Sequence, residues 1–379
     1  MMTLHLKRMW VTVAVVVGLG SACSAVPAQA GFSITDAWVS ATGQDGTFSR
    51  QAGAHPDLRT HIEFGAAGAV PDGNAKNIQV DLPAGVTGDP TAVPTCPESK
   101  LVDATTGASD CPANTRVGTA VLALGQGGND AYAVYNLERT ADSPGRFGMN
   151  VFKVPIIINA QVRPGDYGIS ALSARTSQAL TISSVDITLW GIPADHGVAG
   201  ATPRLPFLSN PTSCPETPST TTISADSWQA PGVFSTRTFT ADVDGTPFVT
   251  EGCERLAFDP IIEVRPLSHS ADAPTGLDVD LTVPQNDSPD GLATAHVKRV
   301  EVALPKGMSV SPSSAAGLGA CAPNQINLGT DAAVSCPDSS RIGTVKIDTP
   351  LLDQPLEGDV ILAKQNDNPF HSLLALYIV

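Results

Sequence analysis

The residue types able to do chemistry in this 379-residue chain fall into a few small groups. His55, His61 and Glu63 lie close together, and in an extended segment residues 61 and 63 share a face. Two imidazoles and a carboxylate make a zinc-type donor set with an open position. The same residues also suit the solvent side of a first strand whose Ile62 and Phe64 point inward. Asp242 and Asp244 precede Gly245, while Asp278 and Asp280 precede a loop carrying Asn286, Asp287 and Asp290. Oxygen-rich runs of this kind between sandwich strands are calcium candidates. Neither has the twelve-residue spacing of a helix-loop-helix calcium site, and an aspartate before glycine commonly caps its own turn. His196, His269, His296 and His371 are scattered without a recognisable partner.

The nucleophile and phosphate motifs are missing. There is no G-x-S-x-G elbow, no HExxH, no GxxxxGK[ST] and no GxGxxG at a strand-to-helix junction. Glycoside hydrolysis needs paired carboxylates and aromatic platforms, but only 5% of the chain is aromatic. Trp38, Trp190 and Trp228 sit in or beside strand-like runs, where core packing accounts for them. The expectation is a protein without catalytic residues or a cofactor.

The elements that must position these groups are short strands. The runs TRTFTADV (Thr236 to Val243), IIEVRP (Ile261 to Pro266) and LDVDLTVP (Leu277 to Pro284) alternate and end in turn residues, and 31 prolines with 34 glycines would interrupt helices often. The fold class expected is all-β, built from tandem disulfide-stapled, immunoglobulin-like β-sandwich modules.

Residues 1–30 carry Lys7 and Arg8, an apolar run from Met9 to Leu19, and Ala28-Gln29-Ala30, the plan of a secretory signal peptide cleaved before Gly31. Cys23 lacks the large aliphatic residue that opens a lipobox, and no later stretch reaches the length of a membrane helix. Cleavage removes two of the 22 basic residues and none of the 37 acidic ones, leaving a net charge of −17. Such a field disfavours a nucleic-acid partner. The six cysteines then left, Cys96, Cys111, Cys214, Cys253, Cys321 and Cys336, read as three disulfides in an exported chain.

The pairing follows from a repeat. CPANTRVGTAVLA (Cys111 to Ala123) returns as CPDSSRIGTVKID (Cys336 to Asp348), and NIQVDLPAG (Asn77 to Gly85) as RVEVALPKG (Arg299 to Gly307). Cys96 and Cys111 hold the same places in one unit as Cys321 and Cys336 in the other, which leaves Cys214 for Cys253. These cysteines lack CxxC spacing and nearby histidines, which argues against a cysteine metal site. The organisation expected is a signal peptide (1–30), a first β module (31–200), a disulfide-closed β or linker element (201–262), and a second, incomplete β module (263–379). On this alignment Phe147 to Phe152 matches Leu373 to Ile378, and the ending LLALYIV suggests the front part of a longer protein.

Several further strings carry a family likeness: QAGAHPDLRTHIEF (Gln51 to Phe64), LPAGVTGDPTAVPTC (Leu82 to Cys96), VYNLE (Val134 to Glu138), LWGIPAD (Leu189 to Asp195), and LPFLSNPTSC (Leu205 to Cys214) leading to DSWQAPG (Asp226 to Gly232). The chain resembles a family of large exported, surface-associated β-repeat proteins of high-GC bacteria. That resemblance implies tandem β modules in a longer polypeptide and carries over no activity or functional residue. The function expected is a non-enzymatic cell-surface or extracellular structural or adhesive element, with a cell-envelope component, glycan or protein as partner. The alternatives are an extracellular hydrolase with its catalytic domain beyond residue 379, or a calcium-dependent binding module.

Overall fold

Alternating sequence becomes strand in the main body of the fold. The computed structural model describes residues 31–379 apart from 44, 68–69, 126–128, 141–142, 199–202, 299, 301–305, 307–316, 329, 331, 350–351 and 353. The signal-peptide segment and most of the Arg299 to Gly307 strand expected from the sequence lie outside the described residues. Eleven strands make the main sheet: β1 (Ile34–Thr42), β2 (Asp57–Phe64), β3 (Ala75–Asp81), β4 (Arg116–Leu124), β5 (Asn129–Asn136), β6 (Gly145–Val151), β7 (Val154–Val162), β8 (Ile169–Ser173), β9 (Ile182–Leu189), β10 (Thr221–Ser227) and β11 (Ser235–Phe239). Their order is β1-β2-β9-β4-β5-β6-β7-β8-β3-β10-β11, with every pairing antiparallel.

This is one continuous sheet, where an immunoglobulin-like sandwich has two. It curls until its edges meet. At the seam the Ile34 N–H donates to Ser235 Oγ, and the Arg237 guanidinium donates to the carbonyls of Ile34 and Thr35. Side chains thereby satisfy backbone groups that an open edge would leave free for aggregation. Inward residues alternate with outward ones: Leu58, Ile62 and Phe64 of β2 are buried, whereas Arg59 and Glu63 between them are not. Part of the interior is tightly filled, with Phe64, Ile34, Ile223 and Ala225 almost wholly excluded from solvent.

Two strands of the 201–262 segment, β10 and β11, are built into this sheet. Its β10 pairs with β3, and the run preceding it packs inward, with Phe207 buried and the N–H groups of Phe207 and Leu208 both donating to Gly191 O. The linker-like composition between Pro203 and Pro231 thus covers an ordered path, fixed by an apolar anchor. The Cys214–Cys253 disulfide, with Cα atoms 6.1 Å apart, closes the loop that contains β10 and β11.

Beyond the main sheet come β12 (Ile261–Pro266) paired with β13 (Leu277–Thr282), and a three-stranded sheet of β14 (Arg341–Ile347), β15 (Leu356–Leu362) and β16 (Leu376–Ile378). Two corners of the chain share one geometry. The Cys96–Cys111 and Cys321–Cys336 disulfides each span 15 residues. In the first, Cys96 N–H donates to Asn136 O and Cys96 O accepts from Glu138; in the second, Cys321 N–H donates to Leu362 O and Cys321 O accepts from Lys364. A hydroxyl then closes the turn before each strand, Thr115 to Pro112 O and Ser340 to Pro337 O. Leu101 and Ile326 are buried beneath the respective bridges. All three disulfides pair as the spacing predicts.

The register corrects one alignment. Phe147 stands opposite Asn136, and Leu376 stands opposite Leu362, so Phe147 corresponds to Leu376 and not to Leu373. The turn between β15 and β16 is longer than that between β5 and β6, a difference that an ungapped comparison passes over. Among the described residues no helix is long and apolar enough to cross a membrane.

Candidate functional site

The curled sheet is hollow on one side. A cavity of about 490 Å³ lies against the inward faces of β2, β3, β6, β7, β8 and β9. Period-two alternation puts it there: Ile78 and Val80 of β3, Ile158 of β7, Ile169 of β8 and Ile187 of β9 all point inward, yet each stays only half-buried because it borders empty space. Small residues make the room. Ala160 of β7 and Ala171 of β8 are direct cross-strand partners, and Val80 stands opposite Ala171 on its other side. Larger side chains at these positions would close the space.

The lining is almost wholly apolar and, among the described residues, includes no charged side chain. Its polar exceptions are hydroxyls, including Thr60, Ser173 and Thr176. Ser173 and Thr176 lie 3.4 Å apart, and the Thr176 carbonyl accepts from the Trp228 indole, which holds that corner in place. Thr349, Leu352 and Leu356, from the connection between β14 and β15 and the start of β15, form another part of the wall. Cavities that bind small molecules run to roughly 300–1,000 Å³ and are mostly apolar with a few polar groups.

The histidine group expected from the sequence is divided. His55 turns inward, its Nδ1 3.0 Å from Leu208 O and 2.9 Å from Ser209 Oγ, and burial pushes its pKa below the ordinary imidazole value, partly countered by the Leu208 carbonyl. His61 and Glu63 share the outer face of β2 as the alternation predicts. The third donor beside them is Asp36 of β1, and the ligand atoms of Asp36, His61 and Glu63 all lie within 4.8 Å of one another. Cross-strand register makes this group, with Asp36 opposite Glu63 and Trp38 opposite His61. Sequence reasoning missed Asp36 because β1 and β2 meet only after the chain turns back between them.

The calcium candidates do not converge. Asp242 Oδ1 accepts from the N–H groups of Asp244 and Thr246, the turn-capping role, and Asp244 is exposed. Asp278 and Asp280 lie on β13 around Arg265, whose guanidinium is 3.1 Å from Asp278 and 3.9 Å from Asp280. Among the described residues neither pair gathers a third carboxylate or imidazole into a metal-sized group. His196 stacks on Trp190 with centroids 4.7 Å apart and meets Asp57 at 3.1 Å, a surface contact.

No protein-family model matches the chain, and no curated protein matches it in sequence.

Proposed function

We propose that this chain is an exported, non-enzymatic binding protein whose curled sheet takes up an uncharged, elongated apolar molecule, of the size of a single acyl or isoprenoid chain. The observation that carries this reading is the apolar cavity of about 490 Å³ inside the sheet. The hydroxyl corner at Ser173 and Thr176 suits one small polar group of such a ligand, and the lack of charge in the lining disfavours a free carboxylate. Three disulfides are compatible with an oxidising, extracellular setting. The test is titration with a neutral fluorescent apolar probe such as N-phenyl-1-naphthylamine, followed by displacement with long-chain alcohols. Saturable one-to-one binding supports the proposal, and absence of saturable uptake with native circular dichroism sinks it.

We further infer that the two disulfide corners are copies of one module, arranged in tandem as a surface-associated protein would use them. The shared Arg-x-Gly-Thr motif supports this. A Cβ on Gly118 would meet Thr188 O of β9 at 2.2 Å, whereas a Cβ on Gly343 meets nothing nearer than Val360 Cβ at 3.6 Å. A glycine where no neighbour among the described residues requires it fits a second module able to receive a strand like β9 beside β14. Adhesive or structural roles then come from repetition, which multiplies weak contacts through effective concentration. Retention of the protein in a cell-envelope fraction, lost on removal of residues 263–379, is the expected result; unaltered release into the medium would count against it.

A further inference from the structure

We propose that Asp36, His61 and Glu63 form a binding site for a divalent transition-metal ion, with zinc the ion of choice, on the outer face of the main sheet. This is separate from the cavity and independent of it. The three residues come from two paired strands, and their donor atoms lie within 4.8 Å of one another, a span that one ion can bridge.

Two features outside the donor triad point to a cation. First, Asp36 and Glu63 are directly opposed across the β1–β2 ladder. Like charges in that position repel, and an ion between them turns the repulsion into coordination. Second, His61 is held as metal-bound histidines are held. Its Nδ1 lies 3.0 Å from Asp186 Oδ2 of β9, so that the carboxylate orients the ring and leaves Nε2 as the coordinating atom. Trp38 stacks on the imidazole with centroids 5.1 Å apart and planes within 16°, which fixes the ring plane. Arg59, the nearby cation, is already engaged: it donates to Asp186 Oδ1 at 2.8 Å and lies 4.9 Å over the Trp38 ring. An imidazole with two carboxylates and no thiolate suits zinc and its first-row neighbours. Three protein donors leave positions open to water or to a group on another molecule.

The experiment is isothermal titration of the purified protein with ZnCl2, with Trp fluorescence followed in parallel during a Co2+ titration, because Trp38 touches the ligand ring. One equivalent of Zn2+ is expected, with affinity at least tenfold weaker in Glu63→Gln and in Asp36→Asn, and about tenfold weaker in Asp186→Asn, which removes the charge that orients the His61 ring and pairs with Arg59 while leaving all three donors in place. Both donors are exposed, so these variants fold. A second readout separates ligation from mere structure: without metal, Glu63→Gln should melt no lower than the parent, since it removes a like-charge opposition, yet lose the zinc-induced rise in melting temperature. Zinc binding of equal strength in the parent and in both donor variants overturns the site. So does absence of binding at millimolar zinc, or a preference for Ca2+ over Zn2+.

Discussion

Replacing Ala171 by phenylalanine puts the cavity to a direct test. Ala171 lies on β8 between Val80 of β3 and Ala160 of β7, and its Cβ faces the hollow. Phenylalanine adds roughly 100 Å² of apolar surface over alanine, so at about 25 cal/mol per Å² its burial against the apolar lining is worth about 2.5 kcal/mol. The new side chain loses about 0.5–1 kcal/mol of rotamer freedom. The expected net is a stabilisation of the ligand-free protein by roughly 1.5–2 kcal/mol, since about 490 Å³ leaves space for the ring in an ordinary rotamer. Urea unfolding followed by far-ultraviolet circular dichroism measures it, provided that the slope is unchanged. The same variant should bind the neutral apolar probe at least tenfold more weakly. Destabilisation of about 1–3 kcal/mol, the usual result of overpacking a filled core, would refute the reasoning outright. A stabilised variant with undiminished probe affinity would keep the cavity and move the ligand elsewhere.

Three further outcomes follow from the same structure. Gly118→Ala drives a methyl to 2.2 Å from Thr188 O and should cost about 2 kcal/mol or more, whereas Gly343→Ala, in the matching motif, should lie within about 0.5 kcal/mol of the parent; similar losses at both would defeat the comparison. Closure of the 39-residue Cys214–Cys253 loop is worth about 4 kcal/mol against about 3 for each 15-residue loop in the chain-entropy model, so the Cys214→Ser, Cys253→Ser double variant should show the larger fall in urea midpoint. Burial holds the pKa values of His55 and His296 below the ordinary imidazole value. The unfolded chain therefore binds more protons than the folded one as pH drops through about 6.5, and stability present at neutral pH is lost on acidification below it. His55→Gln should flatten that loss between pH 7.5 and 5.5, and an unchanged slope would exclude His55 as its source.

The strands were legible because side-chain alternation is local. IIEVRP became β12 at the boundaries read from the sequence. The disulfide partners were legible because two copies of one spacing left a single consistent pairing. His61 and Glu63 were placed on one face by the same period of two. Asp36 escaped because its meeting with Glu63 depends on which strands pair and in which register, and no local pattern encodes that. His55 was misplaced for a related reason: Pro56 follows it at the entry to β2, and the packing of Leu208 and Ser209 draws its ring inward.

Covalent framework, strand content, acidity and the doubled corner were thus determined by the sequence itself, since each rests on composition or on spacing within a short window. The single curled sheet, its side-chain seam between β1 and β11, and the hollow beside Ala160 and Ala171 were decided only by tertiary structure. Whether inward apolar residues meet across a core or stand apart around a space depends on the distance between strands remote in sequence, and neither alternation nor hydropathy carries that distance.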